Sequence, residues 1–586
     1  VAFKVGRAEL NSAQEPEREP EREPEAALVT CPVCKQQTSD ATTGHAPDCN
    51  VLRAASGERV WTTEQEAVLD HFARSDRSAV VVARAGVGKT TVALEGVRRA
   101  PERSVLLTSF SKSAVETLKP RAPHWAQAKS LHGVGLQIIG RRWRGVDVDK
   151  GNGRAHALAV AACPAGTPKG IVRLVENLHT RLREICPRAI QEEAEATALD
   201  NDIVPGTEEK TPLPDVARWA LRALELAREK TDKVDFADMI YLPIAMGWLA
   251  PQFDLVVQDE LQDASPPQLE IARGVCGGRF VGIGDDRQAI YGWRGADTGS
   301  LARLEAELSA TRLLMPETFR CGRAIVAEAR LIVPDFVAHP SVCDGVVRSA
   351  SREQAWLEAD PGDGPGRGDF ILSRTNAPLV GVVLQLFKQD KKCRILGRDV
   401  AAGLTGFVNR LSRKLDDRTD AWVLVDAAWD YHAREEARAK ETKVKAAKRR
   451  AARVRDQAEM LEALADGIST IGDLRKRIEM VFSDDGSGRG VVCSNVHQIK
   501  GREARRVYAL SDTFGRAVSC LCGHFASRHR WSMFHREAAE AAGFKQGCSS
   551  CECQVYRRNT DAALEEENIR YVAITRTKEV LTWVTT

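Results

Sequence analysis

Short apolar runs recur along the chain from about residue 60, at 79–82, 105–108, 253–257, 279–283, 370–373, 490–493, 507–510 and 580–584. They are short and apolar with β-forming residues, so each predicts a buried strand. Between them lie loops and stretches of helical periodicity. Alternation of this kind predicts an α/β fold of parallel sheets flanked by helices. The runs fall into two groups, before and after about residue 310, which predicts two such domains. Two longer helical stretches interrupt them, over roughly 136–232 and 401–482. The second carries "KETKVKAAKRRAARVR" at 440–455, which reads either as a solvated helix face or as a surface for nucleic-acid backbone. Near the start, "EPEREPEREPE" at 15–25 places Pro every four residues with nothing apolar between, and predicts a disordered linker.

Composition narrows the class. The 586 residues suffice for several domains, and 43% apolar with 28% charged residues is a globular balance. No apolar run reaches the roughly 18 residues of a membrane span, and the polar first thirty residues do not read as a secretory signal. A net charge of +3 neither demands nor excludes a nucleic-acid partner, because a basic groove can hide in a balanced total. The fifteen Cys are unevenly placed, three at 31–49 and five at 520–553. Close clustering favours metal over disulfides and a reducing compartment.

The chemistry is concentrated after two of the predicted strands. "VVVARAGVGKTT" runs from a strand into a helical pattern. Its glycines let the backbone N–H groups of Ala85, Gly86, Val87, Gly88, Lys89, Thr90 and Thr91 curl round phosphates. Lys89 supplies charge to the β- and γ-phosphates, and the Thr90 hydroxyl suits Mg2+. "FDLVVQDELQD" is a strand ending in Asp259 and Glu260. Asp259 can hold Mg2+, and Glu260 can take a proton from an attacking water. A third stretch, "GIGDDRQAIYGWRGAD" at 282–297, places groups suited to a phosphate beside groups suited to a flat ring.

In order along the chain, Gln65 in "TTEQEAVLDHF", the phosphate loop, "TSFSKSAVETLKPR", "SLHGVGL", "DELQD", "GDDRQAIYGWRGAD", "TFRCG", "SNVHQIKGREA" and "EEENIRYVAITRTK" resemble the motifs of UvrD/Rep-type superfamily 1 helicases. The resemblance implies two RecA-like motor domains that hydrolyse ATP, with Mg2+, in the cleft between them. It implies that Gln65 reads the adenine edge, Phe319 stacks on the base and Glu503 meets the sugar. Gln288 senses the γ-phosphate, and Arg320 and Arg576 reach it from the second domain. Tyr291 and Trp293, with Arg294, hold single-stranded DNA. The resemblance implies that Ser130 and His132 line the DNA path, with loop packing an equal alternative for both. Base–aromatic stacking gives ~1–3 kcal/mol per base without sequence preference. Trp293 as plain core is the competing reading. Phe110, Ser111, Asn495 and Arg502 depart from the residues usual in the family, which bears on DNA contact rather than on ATP use.

Two cysteine clusters remain. Cys31, Cys34, His45 and Cys49 have the spacing of a four-ligand Zn2+ finger, with free thiols as the alternative. A ubiquitin-like or other protein partner at this finger is an expectation by likeness to small Cys-Cys-His-Cys fingers. The second cluster holds Cys520, Cys522, His524, His529, Cys548, Cys551 and Cys553. One zinc ribbon using Cys520, Cys522, Cys548 and Cys551 leads, with two zinc ions or an iron–sulfur cluster still open.

The expected organisation is a charged linker over 1–30, a small finger over 31–50 and a first motor domain over 58–135 and 236–310 with a helical insertion at 136–235. The second motor domain takes 311–400, 483–518 and 557–586, interrupted by a reduced helical insertion at 401–482 and a cysteine- and histidine-rich insert at 519–556. The expected activity is ATP-driven 3′–5′ translocation on single-stranded DNA and unwinding of tailed duplexes. A protein-stripping translocase and an ATP-switched scaffold are the rivals. The expected location is cytoplasmic on the nucleoid, or nuclear, without membrane association.

Overall fold

The computed structural model describes residues 29–30, 37–38, 59–109, 112–151, 153–201, 203–205, 211–290, 300–356, 364–442, 445–482, 490–514 and 560–585. Two compact units divide the chain, Val1–Thr63 and Glu64–Thr586. In the first, Val29–Thr30 pairs antiparallel with Gln37–Thr38. Cys31, Cys34, His45 and Cys49 lie outside the described residues, as do Cys520, Cys522, His524, His529, Cys548, Cys551 and Cys553.

The larger unit is built on two six-stranded parallel sheets. The first runs Thr311–Met315, Ala79–Ala83, Cys276–Gly284, Phe253–Asp259, Val105–Ser109, Ala126–Ala128. The second runs Val346–Ser351, Thr577–Thr585, Ala504–Leu510, Phe370–Ser373, Val491–Asn495, Cys393–Ile395. Central strands such as Ala79–Ala83 and Val105–Ser109 are buried at every position. That is why they read as unbroken apolar runs rather than as alternating ones. Each sheet carries helices packed close to it. The helix Lys89–Arg99 lies so near Thr63–Arg74 that a Cβ at Gly96 would fall 2.3 Å from the Phe72 ring.

One boundary moves. The sequence reading begins the second motor domain at 311, but Thr311–Met315 pairs in parallel with Ala79–Ala83, so it completes the first sheet. It was missed because it is an edge strand, with only Met315 fully buried, and its pattern is mixed. The edge strands Ala126–Ala128, Val346–Ser351 and Cys393–Ile395 escaped for the same reason. The chain passes from the first lobe to the second at Pro316, just before the short strand Glu317–Thr318.

Both helical stretches form as helices. Gly153–Ala162, Lys169–Ile185, Gln191–Asp200 and Leu213–Ala227 enclose a core that includes Leu158, Val175, Leu178 and Leu224. Buried Arg183 ties it together through Asp235 at 2.8 Å and Asp238 at 2.7 Å. The second insertion is Arg398–Leu411, Ala421–Thr442, Lys445–Ala465 and Ile471–Phe482. On Lys445–Ala465 the apolar positions Ala447, Ala451, Val454 and Ala458 are buried while Lys448, Arg449, Arg453 and Arg455 are exposed. These exposed basic positions suit either reading of the run, a solvated face or a surface for nucleic-acid backbone. The same helix docks onto the second sheet's lobe: the Asp456 carboxylate accepts from the Ala377 N–H at 2.9 Å and the Asn376 N–H at 3.1 Å.

Candidate nucleotide cleft

The candidate site gathers at the C-terminal ends of the first sheet's strands, where open parallel sheets place their ligands. The phosphate loop leaves Ala83, the acidic pair ends Phe253–Asp259, and the Asp285–Gln288 turn follows Gly284. Gly86 and Gly88 have φ of 72° and 81°. These are left-handed values that L side chains resist, and they turn the loop's amides toward the start of Lys89–Arg99. Gly86 is needed twice over. A Cβ there would sit 2.6 Å from both Arg320 Cβ and Thr318 Oγ1 of the second lobe. The Phe319 N–H donates to Gly86 O at 3.0 Å.

The Thr90 hydroxyl donates to Asp259 Oδ2 at 2.7 Å. This pair of hard oxygens at the helix start fits Mg2+, which takes few protein ligands and completes its shell with phosphate and water oxygens. Lys89 Nζ lies 3.4 Å from Ala83 O, folded against its own loop. Burial, with the Glu260 charge adding to it, pushes Asp259 up to about 6. Burial acts on Glu260 in the same sense, but Lys89, Lys500, Gln262 and Arg576 outweigh it and hold Glu260 below the usual carboxylate range. Adjacent acids with divergent proton affinities suit divided roles, and a charged Glu260 suits a base. Glu260 also adopts φ 53°, rare for a residue with a Cβ, and Gln262 Nε2 donates to its Oε2 at 2.6 Å. Such strain costs ~1–3 kcal/mol and persists where surrounding contacts impose it.

The second lobe contributes directly. Arg576 is buried and donates to Val572 O at 3.1 Å and Arg502 O at 3.3 Å, with Nη2 3.5 Å from Gln288 Oε1. Burial and the nearby Arg320 charge lower it to about 10. Arg320 donates to Thr575 O at 3.3 Å and pairs with Glu503, which also binds Lys578 Nζ at 2.6 Å. The structure thus brings Lys89, Thr90, Asp259, Glu260, Gln288, Arg320 and Arg576 to one cleft. Glu503 is engaged with two cations there. Gln65 is buried and donates to Val87 O at 2.9 Å, and Phe319 is 41% exposed with its ring 4.2 Å from that of His339.

Five residues had no role from the sequence. Lys500 Nζ donates to both Asp263 oxygens, at 2.7 and 2.8 Å, and to Gln288 O at 2.7 Å. Asp285 is fully buried and accepts from Gln288 Nε2 at 2.7 Å, from Tyr571, and from Arg84. Lys500, Asp263, Asp285 and Tyr571 stood inside recognised motifs, and a polar group fixed within such a motif was the available signal. Arg84 lies inside the phosphate loop itself.

Of the residues expected along a DNA path, Ser130 is the N-cap of Leu131–Arg142, its Oγ accepting from the Gly133 N–H at 3.2 Å. His132 is half-buried, and burial lowers its proton affinity. Tyr291, Trp293 and Arg294 lie outside the described residues. Among the described residues, no group of three or more His, Cys, Asp or Glu side chains is placed to hold a metal, and no helix is long and apolar enough to cross a membrane.

The family model for the UvrD/REP helicase N-terminal domain matches residues 61–309. F-box DNA helicase 1 of Gallus gallus is 23% identical over 400 residues, 62% of this chain and 36% of that protein. DNA helicase II of Salmonella typhimurium is 24% identical over 280 residues, 43% of this chain and 38% of that protein. ATP-dependent DNA helicase Rep of Escherichia coli is 30% identical over 112 residues, 17% of this chain and 16% of that protein. The chain therefore spans well under half the length of each of these relatives. Residues 61–309 are thus similar to the UvrD/REP helicase N-terminal domain, and the ordered motifs and paired parallel sheets of the rest agree with that likeness to UvrD/Rep-type helicases.

Proposed function

We propose that this chain is an ATP-driven motor that moves 3′ to 5′ along single-stranded DNA and unwinds tailed duplexes, in repair, replication or recombination. The supporting observation is the meeting of Arg576 and Gln288 at 3.5 Å across the two lobes, in the cleft that also holds Lys89 and Glu260. In this reading the loop Ala85–Thr91 and Lys89 bind the phosphates, while Gln65 and Phe319 hold the base. Thr90 and Asp259 hold Mg2+, which supplies a Lewis acid when bound. Glu260 takes the proton of the attacking water, and Arg320 and Arg576 offset charge building on the γ-phosphate. An arginine in that role is worth ~10³–10⁵ in rate. Tyr291, Trp293 and Arg294, with Ser130 and His132, grip the strand.

The deciding experiment is ATPase rate with and without single-stranded DNA, in the wild-type chain and in Lys89→Ala. Stimulation by DNA and its loss in the variant, with DNA binding retained, support the motor. Turnover that survives Lys89→Ala defeats the site assignment, and nucleotide binding without any turnover points to a switched scaffold. DNA affinity should fall with salt at a slope of ~0.7 per phosphate neutralised.

Among the described residues the second insertion has four helices within Arg398–Phe482, which we read as a reduced accessory domain. That size favours a second reading, a translocase that strips proteins from DNA with little unwinding. Displacement of a bound protein, measured beside unwinding of a tailed duplex, separates the two. We further assign Zn2+ to Cys31, Cys34, His45 and Cys49, and to Cys520, Cys522, Cys548 and Cys551, on ligand type and spacing alone. The first of these would be the docking point for a protein partner.

A further inference from the structure

Arg84 stands one residue into the phosphate loop, yet its guanidinium is committed to carboxylates. Its Nε and Nη2 donate to the two oxygens of Asp335, at 3.0 and 2.7 Å. Nη1 donates to Asp285 Oδ1 at 3.0 Å and also meets Asp286. Its backbone N–H donates to Met315 O at 3.0 Å, beside the crossing between lobes. The Arg84 side chain is only 7% exposed, and Asp285 is at 0%. Asp285 and Asp286 belong to the first lobe's Gln288 turn. Asp335 belongs to the second lobe, in the turn after Arg323–Arg330 that buries Phe336 edge-on against Tyr571. One side chain therefore joins the phosphate loop, the Gln288 turn and the opposite lobe. The planar, forked geometry of Arg suits this bidentate bridging, which a lysine cannot reproduce.

We propose that Arg84 is an interlobe latch, a positioning residue that holds the phosphate loop against the second lobe before nucleotide binds. The proposal rests on the motor reading above for its consequence. With the latch made, ATP meets a cleft already largely closed, and the apparent affinity is not reduced by a scarce closed state. After hydrolysis, opening requires Arg84 and Asp335 to part. Asp335 is 38% exposed, so water and salt compete for it and the latch is reversible.

The test uses Asp335→Asn, a second-lobe residue outside the nucleotide machinery, with Arg84→Gln and the double variant. Hydrogen exchange in the nucleotide-free full chain is read at Phe319, whose N–H is bonded to Gly86 across the lobes, and at Ala85, bonded to Tyr571. Exchange at both should quicken about fivefold or more in Asp335→Asn, while Ala79–Ala83 and Val346–Ser351 stay protected. The KM for ATP should rise about 5- to 10-fold with kcat at saturating ATP and DNA within about twofold. The double variant should be no worse than Arg84→Gln alone. Wild-type exchange and KM in Asp335→Asn overturn the latch, and so do effects that simply add in the double variant. The exchange measurement needs no turnover, so failure of the motor reading would show separately, as absent ATPase in the wild-type chain.

Discussion

The Tyr571 hydroxyl bridges the two lobes at Asp285. It accepts from the Ala85 N–H of the phosphate loop at 3.2 Å and lies 3.4 Å from Asp285 Oδ2, to which it donates. Burial, with the Asp285 charge adding to it, raises Tyr571 well above its ordinary range, so it stays a neutral donor. Tyr571→Phe removes one oxygen and leaves a buried amide and a buried carboxylate each short of a partner. The expected cost is about 1–3 kcal/mol in stability by chemical denaturation, with a several-fold fall in DNA-stimulated kcat. Unchanged values on both measures would show the bridge to be incidental.

Lys500 and Asp263 are 8% and 6% exposed and pair across the lobes. Lys500→Met should lower unfolding free energy by about 3–5 kcal/mol, because Asp263 is left buried without its cation. Adding Asp263→Leu should recover most of that loss. Recovery of stability without recovery of ATPase would separate the pair's structural role from its hold on Gln288.

Thr90→Ala should raise the Mg2+ concentration for half-maximal ATPase by about tenfold or more, the usual size for losing a partner of a bound metal. A Mg2+ titration at saturating ATP measures it. An unshifted midpoint would remove Thr90 from the metal site.

His179 is buried in the first insertion with Nε2 2.9 Å from Ala155 O, and burial, with the Arg183 charge adding to it, lowers it to about 3 from an ordinary 6.5. The folded chain refuses a proton that the unfolded chain accepts. Its contribution to stability is therefore full above pH 6.5 and is lost as pH falls from there toward 3. Urea midpoints at pH 7, 6 and 5 should decline in the wild type and decline less in His179→Leu. Parallel declines would place the acid sensitivity elsewhere.

Metal analysis of the purified chain should find zinc, and Cys34→Ser should lower the stoichiometry by about one ion if the first cluster is a four-ligand site. No loss of zinc in that variant would return those thiols to the free state.

Most of the core was legible because central parallel strands are buried on both faces and leave unbroken runs such as "AVVVA". The edge strands were not, since half-exposed residues carry no clear period. Lys89, Thr90, Asp259 and Glu260, which the fold brings together, could be singled out because a phosphate-site pattern fixes both residue type and position after a strand. Arg320 and Arg576 could not be chosen from the chain's 84 basic residues without the family likeness. The Arg84 bridge was illegible in principle. Its partners Asp285 and Asp335 are 201 and 251 residues away, and only the folded lobes bring them together.

Among the described residues the one crossing, at Pro316, sits beside the phosphate loop, stitched to it by Arg84 N–H on Met315 O and Phe319 N–H on Gly86 O. A door swings least at its jamb. In the proposed motor a pivot here would lie close to the nucleotide, and a change of a fraction of an ångström at the jamb would become an arc that widens with distance from it. The outer rims of the lobes, and the helical insertions they carry, are where such a lever delivers its longest stroke.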